Sequence, residues 1–307
     1  MDTIEIVCNI DESYVPYCGI MLTSLLENNR DVKTEIHIVA ANLSRTATES
    51  LRNIVENIFN QTIHFYFVGD EMVKNLPHFE NDYISLSTYF RCFLTEILPQ
   101  NINKVIYLDC DIIILDSLKP LWETDISGYA VAAVEDMNSS FIDKHSRLGL
   151  NETYLYFNAG VLLINLDYWK ENQVFPRLIN WLEHNRNRIV AHDQDLLNAV
   201  LHDETMYLPH RWNMQEGMLR RRRHTLPSSE EAIDREMRHP VIIHFAGKHK
   251  PWQEKCLNPF KKQWEHYTDL TQWKGMRPKK HLGFTLNKIT FPLQDKLGLR
   301  NGYKNLN

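Results

Sequence analysis

The sequence predicts an α/β protein built on a mostly parallel sheet with helices on both faces. Three observations carry this. Short apolar runs alternate with stretches of helical spacing through the first hundred residues. The runs are nearly continuous in apolar residues, as strands covered on both faces require. Polar candidates (Asp11, Asp109, Asp136 and His244) fall where four such runs end, and open α/β sheets bind ligands at the carboxyl ends of their strands.

Taken in order, Ile4–Cys8 is a short apolar strand. Tyr14–Leu26 carries Ile20, Leu22, Leu25 and Leu26 at helical spacing, with Ser13 as the expected N-cap. Glu35–Ala40 alternates Ile36, Ile38 and Ala40, which predicts a strand. A helix follows over Ser44–Ile58, then a strand over Thr62–Phe67. Thr88–Leu98 reads as a helix ended by Pro99, ahead of the strand that delivers Asp109. Further strands are expected at Ala130–Glu135, Ala159–Asn165 and Val241–Phe245, and helices at Pro176–Glu183 and Asp193–Leu201.

The chain has 307 residues, enough for one large domain with an added tail. A hydrophobic content of 43% and a charged content of 24% are those of an ordinary globular protein. The net charge of −5 argues against general nucleic-acid binding, which needs a basic surface. Five scattered cysteines with no C-x-x-C predict neither a disulfide framework nor structural zinc, and favour a reducing compartment. The first residues lead directly into a strand, with no signal-peptide pattern, and no apolar run approaches the ~20 residues that span a bilayer. The expected location is therefore cytoplasmic, with at most a peripheral attachment to the inner face of the membrane.

Asp109 and Asp111, in KVIYLDCDIIIL, are the sharpest chemical signal. In extended backbone the side chains at i and i+2 share a side, so two carboxylates are presented together. Such a pair is unfavourable unless a cation holds it, and hard divalent ions take oxygen ligands. Alone the spacing is weak, since the chain holds a second D-x-D at Asp193 and Asp195.

The surrounding segments add specificity. IVCNIDESYVPY, STYFRCFL, KVIYLDCDIIILDSLKPLW, YFNAGVLLINLDYWK, HDQDLLNAV and HFAGKHKPW, in that order, closely resemble family 8 of the retaining nucleotide-sugar glycosyltransferases. The likeness is to the bacterial lipopolysaccharide α-galactosyltransferase and α-glucosyltransferase branch, over roughly residues 4–265. It implies one nucleotide-diphospho-sugar transferase domain of the GT-A type over residues 1–274, with a basic C-terminal tail over 275–307.

The resemblance also implies roles. Asp109, Asp111 and His244 would hold Mn²⁺, or Mg²⁺, against the donor diphosphate, and a mixed carboxylate and imidazole set suits Mn²⁺ better than Ca²⁺. Asp11 would read the uracil imide and Tyr14 would cover the base, with backbone near Asn9 lining the same pocket. Arg91, Gly247 and Lys250 would meet the donor and its phosphates. Asn158, Asp193 and Gln194 would surround the sugar, Gln194 lying near the anomeric carbon, and Asp136 would stand where donor meets acceptor. Structural alternatives stay open for several of these. Asp11 or Asp193 would equally cap a helix, Asp195 would serve the helix dipole, and Arg91 would make a surface ion pair.

The implied reaction moves glucose or galactose from a UDP-sugar to a glycan or lipid-linked sugar hydroxyl, with retention of configuration. No second carboxyl is evident for a double displacement of the kind retaining hydrolases use; the resemblance implies front-face substitution instead. A self-glucosylating primer of the glycogenin kind, a nucleotide-sugar hydrolase and a non-enzymatic UDP-sugar-binding protein are the rival readings. Arg220–Arg223 lies where relatives carry an acceptor lid; a basic lid would suit a phosphorylated acceptor, and a solvated charge run fits the residues equally well. The tail mixes Leu282, Phe284, Leu286, Ile289, Phe291, Leu293, Leu297 and Leu299 with basic residues. Each basic residue near an anionic leaflet contributes roughly 1 kcal/mol, so the tail would either touch membrane reversibly or pack on the domain.

Overall fold

The computed structural model describes residues 3–69, 86–137, 143–223, 227–278, 290–297, 299–304 and 306. Its centre is a seven-stranded sheet of β1 (Ile4–Asn9), β2 (Thr34–Ala40), β3 (Thr62–Phe67), β4 (Lys104–Leu108), β6 (Val131–Glu135), β7 (Phe157–Asn165) and β8 (Thr205–Tyr207), in the order β3-β2-β1-β4-β7-β6-β8. Neighbours pair in parallel except β7, which runs antiparallel to both β4 and β6. This is the mostly parallel mixed sheet of an α/β domain.

Successive residues of β1 bury on opposite faces. Ile6 and Cys8 join one apolar cluster and Val7 joins the other, and all three are fully buried. Helix α1 (Val15–Glu27) covers the first face, and α3 (Val174–Asn185) with α4 (His192–Leu201) covers the second. All five cysteines are buried free thiols.

Chain order reverses across β1 and β4: β2 and β3 build outward on one side, and β4 starts the other. The crevice opened at such a switch point is where α/β sheets take ligands. Asp11 follows β1 and Asp109 follows β4, so both stand at its mouth.

Immediately after Leu108 the chain leaves this sheet. The Asp109 N–H donates to the Gly160 carbonyl of β7 (2.8 Å), whereas the Phe245 N–H donates to the Asp111 carbonyl (2.9 Å). Beyond them β5 (Ile112–Ile114) joins a separate three-stranded sheet with β9 (Met214–Gln215) and β10 (Ile242–His244). The D-x-D is thus the crossing point between two sheets. His244 ends a strand of the small sheet, not of the main one as the sequence predicts. Three main-sheet strand ends, after β1, β4 and β6, bring in Asp11, Asp109 and Asp136.

A bulge shapes the opposite wall. Pairing of β6 with β7 jumps from Ala133↔Leu162 to Val134↔Asn158, so Ala159, Gly160 and Val161 drop out of that ladder. Bulges bend a strand and re-aim its groups, commonly beside active sites. Here they free two backbone N–H groups to face inward.

Several boundaries differ from expectation. Ser13 is not the N-cap. Asp11 accepts from the Ser13 N–H (2.9 Å) and the Tyr14 N–H (3.3 Å), making a short 3₁₀ turn, and α1 begins only at Val15. Pro16, in the first turn of α1, has no N–H to donate and fits only there. The helix begun at Ser44, whose hydroxyl accepts from the Ala47 N–H, widens into a π-helical stretch over Asn53–Ile58. Expected helix Thr88–Leu98 is mostly 3₁₀, over Leu86–Phe93, with one α turn at Leu94–Ile97.

Trp273 lies against Gly19 of α1. A Cβ at Gly19 would fall 2.2 Å from Trp273 Cζ3 and 2.6 Å from Cη2. An indole cannot yield as a flexible side chain would. Gly19→Ala is therefore expected to cost about 1–3 kcal/mol through overpacking. A chemical-denaturation midpoint equal to wild type would contradict this.

Among the described residues no helix is long and apolar enough to cross a membrane. Of the tail, Lys279, Lys280, Leu282, Phe284, Leu286, Lys288 and Ile289 lie outside the described residues. Its last turn, α6 (Phe291–Lys296), is followed by a segment that returns to the domain. The Arg221 N–H donates to the Gly302 carbonyl (2.9 Å), and the Lys304 N–H to the Leu219 carbonyl (2.8 Å).

Candidate active site

A cavity of about 580 Å³ opens at the switch point, and Asn9, Asp11, Tyr14, Arg91, Asp109, Asp111, Asp136, Asn158, Asp193, Gln194, His244 and Lys250 line it. That volume lies within the usual range for small-molecule sites. Of the residues expected to hold the metal or the donor, only Gly247 lies outside the lining. It sits behind the wall, where a Cβ would come within 2.2 Å of Glu216 Oε2.

The three expected metal ligands converge on the floor. His244 Nε2 lies 3.2 Å from Asp111 Oδ1 and 3.9 Å from Asp109 Oδ2. Ligand atoms of all three side chains fall within 4.8 Å of one another. The second oxygen of each carboxylate is held by the protein. Asp109 Oδ1 accepts from Arg91 (2.9 Å) and from the Tyr107 hydroxyl (3.0 Å), and Asp111 Oδ2 accepts from Lys250. Each acid is thus oriented by one oxygen and presents the other. Burial pushes the Asp111 carboxyl up, but the charges and hydrogen bonds of Lys250 and His244 outweigh it and hold it well below the usual carboxylate range.

Two hard carboxylate oxygens and one imidazole nitrogen fit a divalent ion such as Mn²⁺. The pocket is also cut to leave these side chains room. A Cβ at Gly160 would lie 2.3 Å from His244 Cε1 and 2.7 Å from Asp109 Oδ2.

Arg91 is buried, not a surface residue. Its Nε faces Asp193 (2.9 Å), its Nη2 reaches Asp109, and it lies 4.2 Å from the centre of the Tyr107 ring. Asp193 also accepts from the Thr88 hydroxyl (2.7 Å). Burial pushes its carboxyl up, against the opposing pull of Arg91 and Thr88. Asp193 is therefore not a helix cap. Asp195 is the structural acid of the pair. It is fully buried, accepts from the Val190 and Ala191 N–H groups (both 2.7 Å) and binds Arg147 and Tyr156, which fixes the entry to α4.

Gln194 joins the sugar-side cluster. Its Oε1 accepts from the Ala159 N–H (3.0 Å), and its Nε2 donates to Asp136 Oδ2 (3.0 Å), to which Asn158 also donates (2.9 Å). On the other flank, Tyr14 stands edge-on to Tyr17 and Trp252, while Tyr17 and Trp252 stack at 3.6 Å. Both polar atoms of the Asn9 side chain are buried without a hydrogen-bond partner among the described residues. A buried amide left so is costly unless a ligand satisfies it.

Sequence reasoning did not single out Thr88, Tyr107, Gly160 and Asn213. Of these, Thr88, Tyr107 and Gly160 stood inside quoted motifs, and Tyr107 sits two residues before Asp109, to which its hydroxyl donates. Half of the arginine run is structural. Arg220 is tied to Glu216 and lies over the Tyr303 ring, and the buried Arg223 side chain binds Asp234.

This combination defines a glycosyltransferase of the GT-A type. The chain belongs to glycosyl transferase family 8, whose pattern it matches over residues 5–256. A putative glycosyltransferase of Haemophilus influenzae is 32% identical over 83% of this chain and 74% of its own length. The lipopolysaccharide 1,2-glucosyltransferase of Escherichia coli K12 is 24% identical over 91% of this chain and 81% of its own. The crystal structure of the galactosyltransferase LgtC in complex with donor and acceptor sugar analogs superposes with a TM-score of 0.79 at 26% identity, covering 88% of this chain and 96% of that one.

Proposed function

We propose that this glycosyltransferase moves glucose or galactose from a UDP-sugar to a hydroxyl of a glycan or lipooligosaccharide, with retention of configuration. The observation that carries the reading is the meeting of Asp109, Asp111 and His244 beneath the Asp193–Gln194 pair in one cavity. These three residues would hold Mn²⁺, with Mg²⁺ as the alternative, and the ion would supply Lewis acidity to the departing diphosphate.

The chain's own residues do the rest. Asp11 and Tyr14, together with the unpartnered Asn9, would receive the uridine. Lys250 would offset negative charge developing on the leaving UDP. Arg91, pinned by Asp109 and Asp193, holds the diphosphate side and the sugar side in one register. Asp193 would orient sugar hydroxyls, and Gln194 would present its amide near the reacting carbon. Gln194 is neutral and Asp136 already accepts two amide hydrogens, which supports front-face substitution over a covalent carboxylate intermediate.

On the acceptor side, Arg221 and Arg222 are the exposed members of the arginine run and would face an anionic acceptor. Leu293, Leu297 and Leu299 are 60%, 62% and 75% exposed, which supports peripheral contact of the tail with an anionic leaflet.

The test is UDP release from a panel of UDP-hexoses with Mn²⁺ or with chelator, in the presence and absence of glycan and lipid-linked acceptors. Release that depends on both metal and acceptor is expected. Sugar delivered only to water, or a ladder of hexoses added to the protein itself by intact mass, would replace this reading with a hydrolase or a self-glucosylating primer.

A further inference from the structure

We infer that Asn213 is a positioning residue that fixes the tautomer of His244, so that the imidazole presents a bare Nε2 to the metal. The inference rests on the metal-site reading above, and a chain of amides whose polarity can be worked out from one end carries it.

The starting point is a group that cannot flip. The Gly160 backbone N–H, freed by the bulge in β7, donates to Asn158 Oδ1 (3.0 Å). Asn158 must therefore turn its Nδ2 the other way, toward Asp136 and Gln194. The Ala159 N–H fixes Gln194 in the same manner, with Oε1 accepting and Nε2 donating to Asp136. Because Asn158 Oδ1 is an acceptor, the Asn213 atom that meets it at 2.9 Å must be the donor, Nδ2. Asn213 Oδ1 is then what faces His244 Nδ1 at 3.0 Å. An amide oxygen only accepts, so Nδ1 carries a hydrogen, and in the neutral ring it is Nε2, the nitrogen aimed at Asp109 and Asp111, that has the lone pair.

Asn213 is fully buried, with His244 at 3% and Asn158 at 6% exposure, so water does not compete for these bonds. Backbone places it as well. Asn213 directly precedes β9, which pairs with β10 at Met214↔Ile243 and Gln215↔His244. Partners on the non-ligating nitrogen set the orientation and basicity of ligating histidines, and their loss commonly weakens metal binding about 10–100-fold. The same residue ties the metal side to the sugar side, since the Asn158 that it orients holds Asp136 and Gln194.

Two measurements test this. Two-bond ¹⁵N–¹H correlation of His244 in the metal-free wild type is expected to show a hydrogen on Nδ1; a bare Nδ1 overturns the inference. Mn²⁺ titration by calorimetry, with thermal melts beside it, compares wild type with Asn213→Leu and Asn213→Asp. The leucine variant is expected to bind about 10–100-fold more weakly. The aspartate variant keeps an acceptor toward Nδ1 but sets an oxygen against Asn158 Oδ1, so its Mn²⁺ affinity is expected to fall between those of wild type and the leucine variant. A folded leucine variant binding Mn²⁺ like wild type overturns the inference. Wild type that binds no Mn²⁺ overturns the metal reading, and the tautomer spectrum still decides the place of the proton.

Discussion

Asp109→Ala and Asp111→Ala should each abolish metal-dependent turnover. A metal acting as Lewis acid contributes several kcal/mol to stabilising developing charge, so the expected fall is about 10³-fold or more at 1.36 kcal/mol per tenfold. Excess Mn²⁺ should not restore it, because each acid supplies one of three ligand atoms and orients its neighbours too. The two variants should differ in stability. Asp109→Ala leaves Arg91 paired with Asp193. Asp111→Ala takes from the Lys250 ammonium, 13% exposed, the carboxylate it pairs with, while its bond to the Phe245 carbonyl stays. Removing one partner of a buried pair costs more than the pair contributes. The Asn variants at both positions keep an acceptor oxygen and remove only the charge, so they separate folding from ligation. UDP release with Mn²⁺, read beside a melting curve, checks all four. Near wild-type turnover in either alanine variant would mean that the ion sits elsewhere.

The acids were legible in sequence because their relation is local. Asp109 and Asp111 are two residues apart at the end of an apolar run, so the chain keeps them close even though they lie in the bend between β4 and β5. The alternation of strand and helix was legible for a similar reason, because apolar runs and helical spacing are local patterns. Asn213 carried no such mark. It is a lone amide between Trp212 and Met214, and its meaning comes from a two-residue strand laid beside β10. The small sheet was hidden because Ile112–Ile114 looks like a continuation of β4, whereas the chain changes sheets at the D-x-D itself.

Arginine charge gave a similar ambiguity. Arg220–Arg223 reads as a solvated run, but the partners that absorb Arg220 include the Asn301 carbonyl and the Tyr303 ring, far along the chain. Periodicity cannot report contacts at such separation. Capping chemistry misled at closer range. Ser13 and Asp11 are both good caps, and Pro16 decides between them by setting where α1 can begin.

Gly160→Ala should disable the same centre without touching any ligand. The requirement at this position is for space, not for a left-handed backbone, since the methyl group would land 2.3 Å from His244 Cε1, 2.7 Å from Asp109 Oδ2 and 3.0 Å from His244 Nδ1. None of these atoms is free to retreat. His244 is held from behind by Asn213, and Asp109 is held at its other oxygen by Arg91 and Tyr107. Glycine cannot be shifted cheaply either, because its N–H orients Asn158 and its carbonyl accepts from Asp109. The methyl must therefore spread the ligands or tilt the imidazole. Overpacking of this kind costs about 1–3 kcal/mol in stability, and a displacement of about 1 Å in a reacting constellation costs about 10²-fold in rate. Activity is expected to fall by at least that factor while the protein stays folded, with Mn²⁺ affinity falling in step. If Gly160→Ala binds Mn²⁺ and turns over like wild type, then Asp109 and His244 do not close on one ion across this glycine.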